Sequence, residues 1–451
     1  MRKLTFFIAL CLACVGSSQM WDKVVAPGLT YRMIVQPEAP RLIHALRMTL
    51  KSPHVRALPA LGKKVVFTEN VNESRATVSE MVRDEGAIGG INGDFFPWTG
   101  DPIGLMVRDN ELWSIPYRSR ASFGWGPTNA LATSATFKGA IKTSGREPFA
   151  LDGVNQEAGE NETVLNFERA GYARAKGGGD HLVIKISFGG SPVSGKVEGV
   201  VQGTVRGANV KVEPGTALIS TTGENRAQIR SIQPGETVII ELEVSGFSWD
   251  SISHAVAGGP FLLREGKPYI PWKEEGFGPD FAEKRHPRTA VGKTSDGDVW
   301  WVVVDGRQSM SIGATLEEMS MIMMDLGCVE AVNLDGGGST TMNLFGVTLN
   351  RPSDGKERPV ANGVVLMGPK PDRLSADLQM VVPSKVLVST TVRLKVRIGK
   401  DFEVPNAEVL WSCQGSAWID QGGTLHPFGR GKAEVTAFCN GVTLRKSITI
   451  E

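Results

Sequence analysis

Apolar positions along this chain recur mostly at the spacing of strands and only twice at the spacing of a helix. Segments 181–188, 208–213 and 237–244 are strand-like, and Pro214-Gly215 and Pro234-Gly235 punctuate them as turns. They predict a strand-rich middle over about 130–246, with the helices before and after it. One predicted helix covers 73–84 and ends before Gly86. The other begins at Thr315, which makes a capping box with Glu318. Leu316, Met319, Met323 and Leu326 then share one face, and Gly327 closes the helix. Met319, Met321, Met323 and Met324 are read as helical core packing rather than as a metal or cofactor box.

The second helix lies between two apolar strands, 299–304 and 329–334. A strand–helix–strand unit normally forms a right-handed parallel crossover, which brings both strand ends to one edge. Asp305, Arg307 and Asp335 are therefore expected at a common edge. The text around the two helices also echoes itself. Gly86-Ala-Ile-Gly-Gly-Ile-Asn92-Gly-Asp94 aligns without gaps on Gly327-Cys-Val-Glu-Ala-Val-Asn333-Leu-Asp335. In each copy a helix ends at Gly, a short strand follows, and the strand delivers Asn-x-Asp. Chance similarity of short apolar strands is the competing explanation.

Gly368-Pro369-Lys370-Pro371 reads as a linker. Beyond it the text is all strand. Trp411, Cys413, Ala417, Asp420 and Gly423 are similar to the pattern of bacterial immunoglobulin-like domains, whose size suits the last 80 or so residues. The expected organisation is a leader over 1–18, a larger α/β unit (an α+β mixed sheet with a strand-rich insertion) over 19–368, and a small all-β immunoglobulin-like sandwich over 372–451. The leader reading rests on Arg2 and Lys3 ahead of an apolar run from Leu4 to Val15 and small residues up to Ser18. It predicts a secreted, periplasmic or cell-surface protein. A lipid anchor at Cys14 is the weaker option, because Cys11 stands where the modified Cys is usually preceded by Leu. In an oxidising compartment Cys413 and Cys439 are the expected disulfide pair and Cys328 a buried apolar residue.

Composition narrows the function classes. Apolar residues at 41% permit a real core, and a net charge of +1 gives no basic stripe for nucleic acid. No later segment is apolar enough for stable membrane insertion. No Cys/His spacing suggests zinc, and no cofactor is expected. A divalent cation held by Asn92, Asp94 and the Asp-rich edge is a further option that the spacing does not single out.

The candidate chemistry centres on Asn333-Leu-Asp335-Gly336-Gly337-Gly338-Ser339-Thr340. Three consecutive Gly let backbone N–H groups turn toward an anion, and Ser339 and Thr340 add hydroxyls. Arg288 and Arg307 are the expected charge partners of a phosphate. No Lys follows the Gly run, so it is not a P-loop, and no Gly-x-Ser-x-Gly elbow occurs. Asp94, Asp305 and Asp335 are the candidate base, nucleophile or acid, and each has an equally tenable structural role.

Asn92-Gly-Asp-Phe-Phe96, Val256-Ala-Gly-Gly-Pro-Phe261, Arg288-Thr-Ala-Val-Gly292, Val304-Asp-Gly-Arg307, the 333–339 turn and Arg351-Pro-Ser-Asp354 together resemble the phosphodiester glycosidase family from about residue 60 to Leu366. The resemblance implies hydrolysis of a sugar-1-phosphodiester to free sugar and a phosphomonoester. Asn92 and Asn333, which end the two echoed strands, are further candidate substrate-binding residues. Gln156 stands where that family carries Arg, which puts one polar contact in doubt. The expected partner is a phosphodiester-linked sugar or a cell-wall or capsular glycan. Two other readings stay open: a non-catalytic binder of such glycans, and a metal-dependent phosphodiesterase.

Overall fold

The computed structural model describes residues 18–187, 190–373, 377–400 and 402–451. The predicted leader, with Cys11 and Cys14, lies outside the described residues apart from Ser18. Six elements position the site. They are helix α1 (Val78–Asp84), strand β1 (Gly89–Asn92), strand β2 (Arg288–Thr294), strand β3 (Val299–Val304), helix α2 (Leu316–Asp325) and strand β4 (Cys328–Asn333).

Both helices begin with the same device. The Thr77 hydroxyl accepts from the Glu80 amide while the Glu80 carboxylate accepts from the Thr77 amide, and Thr315 and Glu318 repeat this. Each box satisfies two amides that a helix start leaves without partners. The first helix starts five residues later than its spacing predicts, because Thr77 is the cap. Gly86 and Gly327 follow the helix ends with φ of +68° and +82°, a backbone that side chains rarely adopt.

β2, β3 and β4 lie in an eight-stranded sheet. The order runs from Gln19–Ala26 through Leu29–Gln36, Arg41–Met48, β3, β2, β4 and Phe261–Arg264 to Lys267–Pro268, every neighbouring pair antiparallel. The expected parallel crossover is therefore corrected in one respect. β3 and β4 are not paired, because β2 runs between them and antiparallel to both. They remain parallel to each other, so their C-terminal ends still share an edge. β3 is apolar throughout because both of its faces are covered. Trp301 and Val303 join the core that also holds Phe123, Trp125 and Ile91. Trp300, Val302 and Val304 pack on the other side with Leu316, Met319, Ile322 and Met323 of α2. The helical methionines thus pack as core, apart from the exposed Met321.

β1 belongs to a separate five-stranded antiparallel sheet, flanked by Met342–Leu344 and Asn362–Met367. α1 covers one face of this sheet through Val78, Met81 and Val82. The strand-rich insertion forms a further eight-stranded sheet with its own core, centred on the long hairpin Tyr172–Ile186 and Ser194–Lys211. Among the described ladders only two short ones are parallel. The architecture is strand-rich and antiparallel, with helices on the outside, rather than a parallel α/β sheet.

After Gly368–Pro371 a unit of short strands, from Leu378–Val381 to Val442–Ile450, surrounds a core that includes Trp411, Val435 and Ile448. Cys328, Cys413 and Cys439 are all free and buried. The expected Cys413–Cys439 disulfide is absent for a reason of register. Cys413 faces Val435 across the ladder, four residues before Cys439. That offset is about 13 Å along a strand, roughly twice the Cα separation a disulfide can span. No helix among the described residues is long and apolar enough to cross a membrane.

Candidate active site

The two echoed strands end at one place. The Asp335 amide donates to the Gly93 carbonyl at 3.0 Å, and the Asn92 side-chain amide donates to the Asp335 carbonyl at 2.7 Å. These bonds join the ends of β1 and β4 across two sheets and set Asp94 beside Asp335. The Asp94 carboxyl, 3% exposed, accepts from the Phe95 and Gly104 amides at 2.8 Å each. Burial pushes its pKa up to about 7; these two amides and the Arg120 charge pull it down, and the Asp335 charge pushes it further up. Asp335 accepts from the Gly336 amide at 2.8 Å. Burial raises its pKa to about 6, against the pull of the Ser339 hydroxyl, the Gly336 amide and the Arg358 charge. Burial raises both of these neighbouring carboxyls, each in different surroundings, and their protons leave the pair as a unit.

Arg307 stands over the glycine turn. A Cβ added at Gly337 would lie 3.2 Å from its Nη2. Its backbone is left-handed (φ +62°), its side chain is exposed, and no ion pair holds it among the described residues. A left-handed backbone is uncommon in a non-glycine residue. His286 lies 3.5 Å from the Arg307 guanidinium and has its pKa lowered, first by burial. On the same side Arg358, paired with Asp354 at 2.7 Å, reaches the turn at Gly338.

The expected amide nest is not formed as predicted. The Gly336, Gly337, Ser339 and Thr340 amides donate to the Asp335 carboxylate and to the Pro287, Gly336 and Gly337 carbonyls. The glycines serve close approach instead. A Cβ at Gly338 would lie 2.0 Å from Arg358 Nη2, and one at Gly336 would lie 2.7 Å from the Pro287 carbonyl. Ser339 is buried against Asp335, and no hydrogen bond joins it to a histidine among the described residues.

Several predicted site residues turn out to be supports. Arg288 is 1% exposed; its Nε and Nη2 donate to the Ala314, Phe281 and Lys284 carbonyls, so it clamps loops rather than presenting its charge to a ligand. Asp305 is fully buried and accepts from the Arg351 amide at 2.9 and 3.1 Å and from Asn350 at 3.2 Å, which removes it from the carboxylate pair. Asn92 also accepts from Thr289 and the Thr341 amide. Asn333 donates to the Gly259 and Leu334 carbonyls, and Thr340 is buried beside Thr289. These polar groups hold the edge in shape.

Three residues were not among the candidates. Arg120 stacks over Phe277 at 4.6 Å, Tyr117 at 5.1 Å and Phe95 at 5.3 Å, and its charge acts on Asp94. Its Nε and Nη1 are buried without a hydrogen-bond partner among the described residues. Glu275, 4% exposed, accepts from the Ala121 and Phe261 amides and feels the same guanidinium. Arg358 completes the set. A lone Arg or Glu in loop text carries no periodic signal; only Asp354, in the motif at 351–354, pointed near Arg358. The site thus has a carboxylate pair, an aromatic wall of Phe95, Phe277 and Phe281 that holds Arg120, and a cationic wall of Arg307 and Arg358. A hollow of about 670 Å³, lined by Glu111, Lys185 and Glu198 among others, shares no residue with it. No group of three metal-ligating side chains occurs among the described residues.

Residues 181–367 match the family model described as phosphodiester glycosidase. Over 88 residues the chain is 40% identical to the SPbeta prophage-derived uncharacterized protein YomE of Bacillus subtilis, covering 20% of this chain and 14% of that protein. Over 108 residues it is 35% identical to the N-acetylglucosamine-1-phosphodiester alpha-N-acetylglucosaminidase of Bos taurus, covering 22% and 20% respectively. The chain therefore matches a fifth or less of the length of these relatives. The crystal structure of a hypothetical protein from Synechocystis superposes with a TM-score of 0.63 at 19% identity, covering 75% of this chain and 62% of that one, which shows a shared fold.

Proposed function

From the match of residues 181–367 to the phosphodiester glycosidase family model, we propose that the protein hydrolyses the glycosidic bond of a sugar-1-phosphodiester. The observation that carries the reading is the buried Asp94–Asp335 pair, joined through the ends of two strands, beside the exposed Arg307, which has no ion pair among the described residues. Arg307 and Arg358 receive the phosphate, whose charge they offset in the ground state and as the leaving group departs. Asp335, at the partly open turn, takes a proton from the attacking water. The water oxygen bonds to the anomeric carbon, and the bond from that carbon to the phosphate oxygen breaks with its electron pair on the oxygen. Asp94 holds the proton that can meet that oxygen. The leaving phosphomonoester is acidic enough to need this help only weakly. Asn92 and Asn333 hold the strand ends that carry the pair. No step calls for a metal ion or an organic cofactor.

The substrate class we propose is a phosphodiester-linked sugar of a cell wall or capsule. The leader-like text at 1–18 supports an exported protein that meets such polymers. A screen against sugar-1-phosphodiesters and teichoic or capsular fragments, read by product mass, tests both the bond and the sugar. Arg307→Ala and Asp335→Ala are expected to lose turnover by at least about a hundredfold while keeping the wild-type melting transition. Full activity in both would refute this site. Binding of a glycan without turnover of any phosphodiester would leave a binding protein instead.

A further inference from the structure

In sequence, the linker at 368–371 sets residues 372–451 apart as a unit of their own. The structure points elsewhere. Arg351 belongs to the loop that carries Asp354 and Arg358. Its guanidinium reaches into the C-terminal unit and donates to the Cys413 carbonyl at 3.0 Å, the Ala417 carbonyl at 2.7 Å and the Gly415 carbonyl at 2.6 Å. Its Nε donates to Gln308 at 2.8 Å, and the Gln308 side chain donates back to the Arg351 carbonyl at 2.9 Å. Its amide donates to Asp305, two residues before Arg307. Neighbouring Asn350 donates to Asp305 and, at 3.0 Å, to the Thr340 carbonyl at the end of the glycine turn. The C-terminal unit closes the circuit, since Gln414 donates to the Asn350 carbonyl at 2.9 Å and Ser412 to the Thr348 carbonyl at 2.6 Å. Phe438 stacks on Phe345 at 4.6 Å, and Leu410 and Phe438 join the core that holds Ile91 and Trp301.

We infer that the C-terminal all-β unit is a built-in part of the active site, which through Arg351 fixes the loops that carry Arg307, Arg358 and the glycine turn. Three bonds from one planar guanidinium to three carbonyls of another unit define an orientation that a flexible Lys or a bare linker cannot. Without them the 305–313 and 350–358 loops keep their covalent ends but lose the anchor between them. Arg351 is a positioning residue, since it acts on the phosphate only through its neighbours. Its meaning for catalysis rests on the proposed reading of the site, but its effect on loop order does not.

The test uses the full chain with Arg351→Met and, separately, Gln414→Ala. Amide hydrogen exchange is followed by mass in segments 305–313 and 336–341, and kcat and KM are measured on a sugar-1-phosphodiester. Arg351→Met is expected to speed exchange in both segments by about tenfold or more while exchange in β2 and β4 stays unchanged. KM is expected to rise more than kcat falls, as for a loosened phosphate contact, and Arg351→Lys is expected not to rescue either change. Gln414→Ala removes one bond and gives a smaller change of the same sign; it decides the question if Arg351→Met does not fold. Unchanged exchange at 305–313 and 336–341 in the folded variants would overturn the inference. Absence of turnover in the wild type would overturn only the proposed activity, because the exchange comparison stands without it.

Discussion

Asp94→Asn isolates the free-energy cost of keeping an acidic side chain buried at the site. In the folded chain the Asp94 carboxyl titrates at about 7, against an ordinary value of 3.8. Between those values the unfolded chain has released the proton and the folded chain still holds it. Unfolding is then favoured as pH rises, so stability is lost between pH 4 and 7. The difference between 3.8 and about 7 corresponds to about 4 kcal/mol, an upper figure because solvent relaxation trims it. Asn cannot ionise, so this pH-dependent part vanishes in the variant. The variant also has a constant cost. The carboxylate serves both the Phe95 and Gly104 amides, whereas an Asn oxygen serves one and its NH2 faces the other. The sign of the net change at one pH is therefore a poor test, and the change with pH is a good one. Urea unfolding of both proteins at steps from pH 4 to 8 should show the wild type losing about 3–4 kcal/mol relative to Asp94→Asn across that range, at a slope of about 1.4 kcal/mol per pH unit at most. Parallel stability curves would show that Asp94 ionises normally in the fold, and the acid–base division of the pair would fall with it.

Arg120→Met should raise the Asp94 pKa further, because the Arg120 charge holds it down; if Asp94 acts in its protonated form, the alkaline limb of the kcat profile moves to higher pH, and an unmoved limb would disconnect Arg120 from the pair. Gly338→Ala places a Cβ against the flexible ends of Arg358 and Asp354, so KM should rise by about tenfold with little change in melting temperature. Gly336→Ala meets the Pro287 backbone carbonyl and should lower the melting temperature instead; equal behaviour of the two variants would contradict the roles given to this turn.

Local rules made parts of this molecule legible. The capping box at Thr315 and Glu318, the two-sided apolar strand Val299–Val304 and the glycine after each helix are encoded within a few residues of one another. Segment 73–84 showed its helix but not its start, since Thr77 competes with several polar neighbours. Polar direction was harder to read. Arg288 and Arg307 look alike in sequence, yet one points into carbonyls supplied by residues 281–284 and 314, and the other stands exposed over Gly337. Asp305 and Asp335 both end apolar strands, but only Asp305 meets a loop amide from 46 residues away. Arg120, Glu275 and Arg358 reach the site from loops whose path depends on tertiary packing. The antiparallel β2 between β3 and β4 follows from the order of strands in the sheet, which the crossover pattern does not encode.

The echo between 86–94 and 327–335 accounts for why two acidic side chains meet at all. Each copy runs from a Thr-capped helix through a left-handed Gly and a short buried strand to Asn-x-Asp. Placing equal strand ends together, with the Asp335 amide on Gly93 and Asn92 on Asp335, makes adjacent carboxyls a consequence of backbone geometry. Two identical acids so placed would resist ionising alike. The copies differ in what surrounds them. Asp94 sits in a nearly closed site against the aromatic wall and feels the Arg120 charge, whereas Asp335 lies at the partly open turn with Ser339, Gly336 and Arg358. Repetition brings the pair together, and divergence of the flanking loops gives its members different surroundings. On the proposed reading of the site, a symmetric pair would hold one proton without preference for either side of the substrate, and it is the asymmetry beside Arg307 and Arg358 that would give the reaction a direction.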